Sequence, residues 1–211
     1  MATALAIYNQ ALIEVGVRTI SSTSEDVESR RVIDDVYDEV LEYCLEAGQW
    51  NFAMRTVKVA ADTAITPNFG FSEVFAKPSD WVRTVGLAAD EYNNLPLTDS
   101  QYKDELGYWF TDVTPLYVRY VSNGASYGLS LTGWPESFAR FVVLEIAHRI
   151  CERLTQNTNR KQLIAAELRY VRRLALNKDA MNEGTRFPVA GRLVSSRTGA
   201  ERRQRSSLTG S

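Results

Sequence analysis

The chain has 211 residues, of which 45% are hydrophobic and 24% charged, a composition typical of an ordered domain with a sizeable core rather than of a disordered chain. The formal net charge is −2, but residues 186–211 contain six arginines and one glutamate, so this segment contributes +5 and the body −7. Different partners are therefore expected for the two parts. No stretch approaches the roughly 20 apolar residues of a membrane helix, and the N-terminus lacks a signal-peptide pattern, so we expect assembly in the cytoplasm.

Two helices are predicted at the N-terminal end. Residues 3–15 carry apolar side chains at helical spacing, and Gly16 stands where a left-handed residue ends a helix. Ser22 and Glu25 have the spacing of a capping box and predict the start of a second helix that runs to Gly48.

A β-rich region is predicted after the second helix. From Trp50 to about residue 131, short runs of β-branched and aromatic residues are separated by turn residues, and one short helix is expected at 100–106. Within this region Pro78 fixes φ for a turn, and Asp80 is expected to accept hydrogen bonds from neighbouring backbone amides.

The helical period returns near the C-terminal end. Pro135 is expected in the first turn of a third helix. A fourth helix is predicted at 161–182, with Leu163 and Leu174 in its apolar stripe. The segment after Gly184 is rich in Ser, Gly, Thr and Arg, which predicts an extended or disordered tail.

The fold class predicted from this order is α+β, mainly α. An antiparallel four-helix bundle is expected from residues 1–49 and 133–184, with an inserted antiparallel β-rich region at 50–132. The extended basic C-terminal tail is assigned to residues 185–211.

Known catalytic and cofactor motifs are missing from the sequence. It contains neither GxGxxG nor GxxxxGK[ST]. His148 is the single histidine, and with Cys44 and Cys151 it cannot complete a zinc site, so both cysteines are expected to be buried thiols. We therefore predict no catalytic residue, no metal and no cofactor.

An acidic cluster lies on the second predicted helix. Because its members share one helix at spacings of three and four, they are not opposed across a cleft as glycoside hydrolysis requires. A solvated or intersubunit face is favoured, and such a face would also let DNA pass without adhering. The residues are Asp34, Asp35, Asp38, Glu39 and Glu42.

The C-terminal segment combines arginines with the apolar residues of FPVAGRLV. Three interpretations remain open: docking onto an acidic partner protein, solvation, and phosphate binding to nucleic acid. The arginines are Arg186, Arg192, Arg197, Arg202, Arg203 and Arg205.

Five short motifs follow one another along residues 5–180. They are Asn9, Leu12, Gly16 and Ile20-Ser21; Trp50 and Phe52; Pro78, Asp80, Arg83 and Val85; Phe110, Asp112, Leu116 and Tyr120; and Pro135, Phe138, Ala147 and Leu154-Thr155. In this order the chain resembles the head-to-tail adaptor family of short-tailed bacteriophages, also called tail tubular protein A. Phe110 departs from the tyrosine that is frequent there, and the tail matches no motif.

The resemblance implies a non-enzymatic virion protein, assembled in the host cytoplasm. Members form a dodecameric ring below the portal protein, extend the DNA channel without sequence-specific binding, and present a docking surface to the tail nozzle and sometimes to tail fibres or tailspikes. No membrane contact is implied.

The resemblance also gives roles to residues. The six tail arginines would contact the portal, and the acidic cluster would face the channel or the neighbouring subunit. Arg169, Arg172 and Arg173 are candidates for pairing with that cluster, while Pro78, Asp80 and Arg83 form a structural corner.

Two other classes of function are carried as alternatives. A DNA-binding accessory protein would need a basic recognition helix on a basic body, whereas this body is acidic. A hydrolase of cell-wall glycans would need opposed carboxylates in a cleft.

Overall fold

The structure is a computed structural model that describes residues 3–67, 70–92 and 95–182. Four helices and two small antiparallel sheets of three strands make an α+β fold. The elements are α1 Ala4–Val15, α2 Glu28–Glu46, β1 Met54–Val59, β2 Glu73–Ala76, β3 Trp81–Ala88, β4 Tyr102–Glu105, β5 Tyr108–Thr111, β6 Leu116–Ser122, α3 Glu136–Thr155 and α4 Thr158–Asn182.

The first helix has the ends that its sequence predicts. Thr3 accepts a hydrogen bond from the backbone N–H of Ala6 at 3.2 Å, which caps the N-terminus. Gly16 adopts φ 84° and donates its N–H to the carbonyls of Leu12 and Ile13. Glycine adopts this left-handed conformation without steric cost, so the predicted end of α1 is confirmed.

The second helix begins later than predicted. The Glu25 carboxylate accepts from the backbone N–H and hydroxyl of Ser21, at 2.7 and 2.8 Å, instead of capping a helix from Ser22. The side-chain amide of Asn9 accepts a hydrogen bond from the backbone N–H of Ile20 at 2.9 Å and donates one to its carbonyl at 3.0 Å. These bonds fix a separate turn before α2, so the capping-box prediction is wrong.

The third helix is buried on nearly all sides and packs against α1, α2 and α4. Its arginines reach those neighbours. Arg140 donates to Glu14 of α1 at 2.8 Å and to Glu167 of α4 at 2.7 Å. Arg149 donates to Glu39 of α2 at 2.6 Å. Pro135 lies immediately before α3, one position earlier than expected.

An aromatic cluster joins the helices to the sheets. Trp50 is 1% exposed and donates its indole N–H to the carbonyl of Cys44 at 2.8 Å. Its ring lies edge-on to Phe138 of α3, with 4.8 Å between centroids, and Phe52 lies 4.7 Å from the same ring. The chain that leaves α2 is therefore fixed to the first turn of α3.

The sheet β1-β6-β3 is a middle layer between two hydrophobic cores. Val121 of β6 belongs to the core shared with the helices, whereas Val118 and Tyr120 belong to a second core. Phe75 and Trp109 from the sheet β2-β5-β4 complete that second core. Adjacent strand residues point to opposite faces, so one strand serves both cores.

The segment predicted as a short helix at 100–106 is instead strand β4, paired with β5. Gly107, at φ 80°, lies in the turn between them. The strand is polar because most of its side chains face solvent at the edge of the sheet. A polar strand lacks the apolar alternation by which a half-buried strand is recognised in a sequence.

Other predictions are partly corrected. The fourth helix is longer than expected and begins at Thr158. Two residues of its predicted stripe lie outside the core, since Leu163 is 67% exposed and Leu174 36%. Cys44 and Cys151 are free and buried, as predicted.

We expect Phe138→Ala to lower the free energy of unfolding by about 3–5 kcal/mol, because it removes the ring that Trp50 and Phe52 both contact. Urea denaturation followed by circular dichroism measures the loss. The control Leu106→Ala, at a side chain 98% exposed, should change stability by less than about 0.5 kcal/mol. Similar effects of the two changes would contradict the assigned role of Phe138.

Candidate functional site

The predicted corner is a turn whose acid binds side chains from the adjoining strands. Trp81 donates its backbone N–H to the carbonyl of Pro78 at 3.1 Å. The Asp80 carboxylate accepts from Tyr120 at 2.9 Å, from Arg55 at 2.8 Å and from the Ser122 hydroxyl. The predicted hydrogen bonds to Asp80 from neighbouring backbone amides are replaced by bonds from side chains. Its carboxylate thereby connects β1 and β6 to the start of β3.

Charge and burial oppose each other at this corner. Burial alone would raise the pKa of Asp80, but hydrogen bonds from Ser122, Arg55 and Tyr120 outweigh it, and the pKa is lowered. Burial and the neighbouring Asp80 carboxylate raise the pKa of Tyr120 to about 12. At neutral pH the site therefore holds an ionised acid and a neutral phenol.

The third residue of the predicted corner ties the sheet to α2. Arg83 donates from Nη1 to the backbone carbonyl of Glu46 at 3.2 Å. The last carbonyls of a helix lack partners within it, and they carry partial negative charge that favours a cation. Arg83 therefore stabilises the end of α2.

A second charged cluster beside the corner was not predicted. Lys77, with a side chain 7% exposed, donates to Asp104 at 2.5 Å and lies 3.8 Å from the ring centroid of Trp81. Thr84 and the indole N–H of Trp109 also donate to Asp104, at 2.7 and 3.1 Å. The lysine charge is satisfied by a carboxylate and aromatic faces, which favours a structural role.

The acidic cluster is exposed along α2. Asp34 accepts from Tyr8 at 2.8 Å and from Arg30 at 2.5 Å, and Glu39 pairs with Arg149. Burial and the Asp34 carboxylate raise the pKa of Tyr8. Within the described part of the chain, the carboxylates of three members form no hydrogen bond or ion pair: Asp35, Asp38 and Glu42.

The arginines of α4 are also exposed, and the structure does not bring them to the acidic cluster of the same chain. Arg169 donates to the carbonyl of Ala165 in its own helix at 3.2 Å. Arg172 and Arg173 form no ion pair in the described ranges. Their predicted pairing therefore requires another chain.

The six arginines assigned to the portal lie outside the described residues: Arg186, Arg192, Arg197, Arg202, Arg203 and Arg205. Their role stays a prediction.

Two surface grooves contain neighbouring carboxylates. One groove of ≈ 290 Å³ has Asp90 and Glu91 side by side, and another of ≈ 260 Å³ has Asp38 and Glu42 on one helix, so neither pair is opposed across its groove. His148 is half-buried on α3. Among residues 3–67, 70–92 and 95–182, no cluster of three metal-ligating side chains occurs and no helix could span a membrane.

Comparison with known proteins gives no assignment, since no family model and no curated protein matches the chain. The resemblance to head-to-tail adaptors is therefore carried by the five motifs.

We expect Asp80→Asn to lower the free energy of unfolding at pH 7 by about 1.5–3 kcal/mol, because charged hydrogen bonds to Arg55, Tyr120 and Ser122 are lost. Since the folded-state pKa is lowered, the wild-type advantage is complete above the unfolded pKa of about 3.9 and decreases as the pH falls through the folded value. Urea denaturation from pH 7 to pH 2.5 measures it.

Asp35→Asn serves as the control for that experiment, because this carboxylate is exposed on α2. It should change stability by less than about 0.5 kcal/mol. A wild-type advantage over Asp80→Asn that grows as the pH falls would contradict the assignment.

Proposed function

We propose that this protein is a structural head-to-tail adaptor of a short-tailed bacteriophage. It forms a ring that joins the portal to the tail nozzle and extends the DNA channel, without catalytic activity. Its place is the virion, at the head-tail interface, after assembly in the host cytoplasm.

One observation carries the proposal: residues from different adaptor motifs contact one another. Trp50 and Phe52 of the second motif pack on Phe138 of the fifth, with centroids 4.8 and 4.7 Å apart. Asp80 of the third motif accepts from Tyr120 of the fourth at 2.9 Å. Separate matches of weak patterns would not be expected to meet in pairs, so these contacts support a coherent set.

The finer architecture belongs to the same proposal. Residues 1–49 and 133–184 form an antiparallel four-helix bundle, and these bundles stand side by side around the ring. Residues 50–132 form the β insertion, and residues 185–211 form an extended basic tail that reaches the portal.

The charge distribution supports a passage for DNA. The acidic cluster on α2 is exposed, and like charge weakens contact with phosphates. Ring closure uses a heterologous interface, in which two different patches of each chain meet. Opposite charges on α2 and α4 suit such an interface.

The β insertion is assigned to the nozzle contact. Large apolar side chains are exposed in its loops, among them Tyr92 at 75%, Leu95 at 63% and Leu106 at 98%. Exposed apolar groups at loop tips are available for docking onto another protein.

Negative-stain electron microscopy of the purified protein with the portal ring of the same genome tests the proposal. We expect rings stacked on the portal. Deletion of residues 186–211 should abolish stacking while unfolding stays cooperative, because the portal contact is assigned to the tail and the core is untouched. Full-length protein that ignores the portal would refute the function, whereas a truncated chain that still stacks would refute only the tail assignment.

A matched pair of variants separates charge from length in that test. Replacing the six tail arginines by glutamine should abolish stacking, while replacing them by lysine should retain part of it, since lysine keeps the charge but loses bidentate bonding. Full stacking by the glutamine variant would exclude an electrostatic contact.

A further inference from the structure

The outer face of α4 carries an apolar stripe without a partner in the described part of the chain. Leu163 is 67% exposed, Tyr170 59%, Leu174 36% and Met181 83%. Their separations of seven, four and seven residues place them in one line along the helix. We call these four residues the α4 stripe.

The α4 stripe is distinct from the face that holds α4 in the fold. Ile164, Val171 and Ala175 are buried in the helical core. Each of these three residues directly follows a residue of the stripe in the sequence. One position along an α-helix corresponds to a rotation of about 100°, so the buried residues lie on a different face. The stripe is therefore not the margin of the intrachain contact but a second apolar face.

Positive charge accompanies the stripe. Over Thr158–Asn182, six basic residues outnumber two acidic ones, for a net charge of +4. Arg169 and Arg173 are exposed and lie along one flank of the stripe. A partner for this face is expected to combine an apolar surface with carboxylates.

Such a surface exists on α2 of the same protein. A groove of ≈ 260 Å³ is lined by Leu41, Leu45 and Leu129, with Asp38 and Glu42 beside them. Leu129 is 41% exposed. Over Glu28–Glu46, seven acidic residues outnumber two basic ones, for a net charge of −5. We call this feature the α2 groove.

The size of the α2 groove favours a protein side chain as its occupant. Ligand pockets usually measure about 300–1,000 Å³ and enclose most of the ligand, whereas this groove is smaller and open. A tyrosine or leucine anchor flanked by arginines matches its apolar lining and its carboxylates.

One chain cannot bring these two surfaces together by itself. The helices α2 and α4 both pack on α3, while the α4 stripe and the acids of the α2 groove are exposed. A contact between stripe and groove therefore joins two copies and uses one surface from each.

We propose that the α4 stripe of one copy docks in the α2 groove of a second copy. Tyr170 and Leu174 pack over the groove leucines, while Arg169 and Arg173 approach Asp38 and Glu42. This inference rests on the proposed function in that it supplies the contact between neighbouring subunits, and it adds the residues on each side.

The test uses two variants that each destroy one side of the interface. Tyr170→Asp places a charge in the stripe, and Asp38→Arg with Glu42→Arg reverses the groove. In sedimentation velocity at low salt, wild-type protein should form concentration-dependent oligomers. Each variant alone should associate at least about tenfold more weakly, because like charges are opposed.

Mixing the two variants decides the geometry. Each retains the surface that the other lacks, so the mixture should form a heterodimer through one intact interface. Higher salt should weaken it, since exposed charges are screened. Wild-type protein that stays monomeric at every concentration, or a mixture that does not associate, would overturn the inference.

Controls separate this interface from folding and from the wider function. Leu106→Asp and Glu105→Arg make similar changes at exposed sites of the β4–β5 hairpin and should leave association unchanged. Melting curves establish that each variant is folded. If both interface variants still form rings that stack on the portal, this contact is refuted but the adaptor function is kept. If oligomers form through this contact but do not bind the portal, the adaptor function is refuted but the contact is kept.

Discussion

The packing of Phe138 against Trp50 and Phe52 is the contact on which the rest of the structure depends. It lies where the chain leaves α2 for the sheets and where it returns to α3, so it fixes both connections at one point. With that point fixed, the sheet β1-β6-β3 can place one face on the helices and the other on the second sheet. The Asp80 carboxylate then holds the strands of this middle layer in register.

Features that depend on local spacing were predictable from the sequence, and features that depend on a distant partner were not. Gly16 ends α1 because its backbone conformation is a local property. The strand at 102–105 has a polar pattern because it lies at a sheet edge, and no local signal distinguishes it from a helix. Leu163 and Leu174 follow the helical period as core residues do, but only the tertiary packing decides which apolar face of α4 is covered.

The same division holds for the candidate site. The turn at Pro78 and Asp80 was predicted because proline and aspartate favour turns. Its partners Arg55, Tyr120 and Ser122 lie 25, 40 and 42 positions away in the sequence, so a single sequence without a known topology does not reveal them. The acidic cluster was recognisable from its spacing, whereas the groove beside it requires Leu129 from another segment.

The distribution of the four tryptophans has an optical consequence. Trp50 and Trp134 belong to the core shared with the helices, while Trp109 lies in the second core with Trp81 packed against it. Each core therefore holds two of the four intrinsic fluorophores. Replacing one pair by phenylalanine leaves an emission that reports a single core, so the order in which the two cores melt is accessible without any added label.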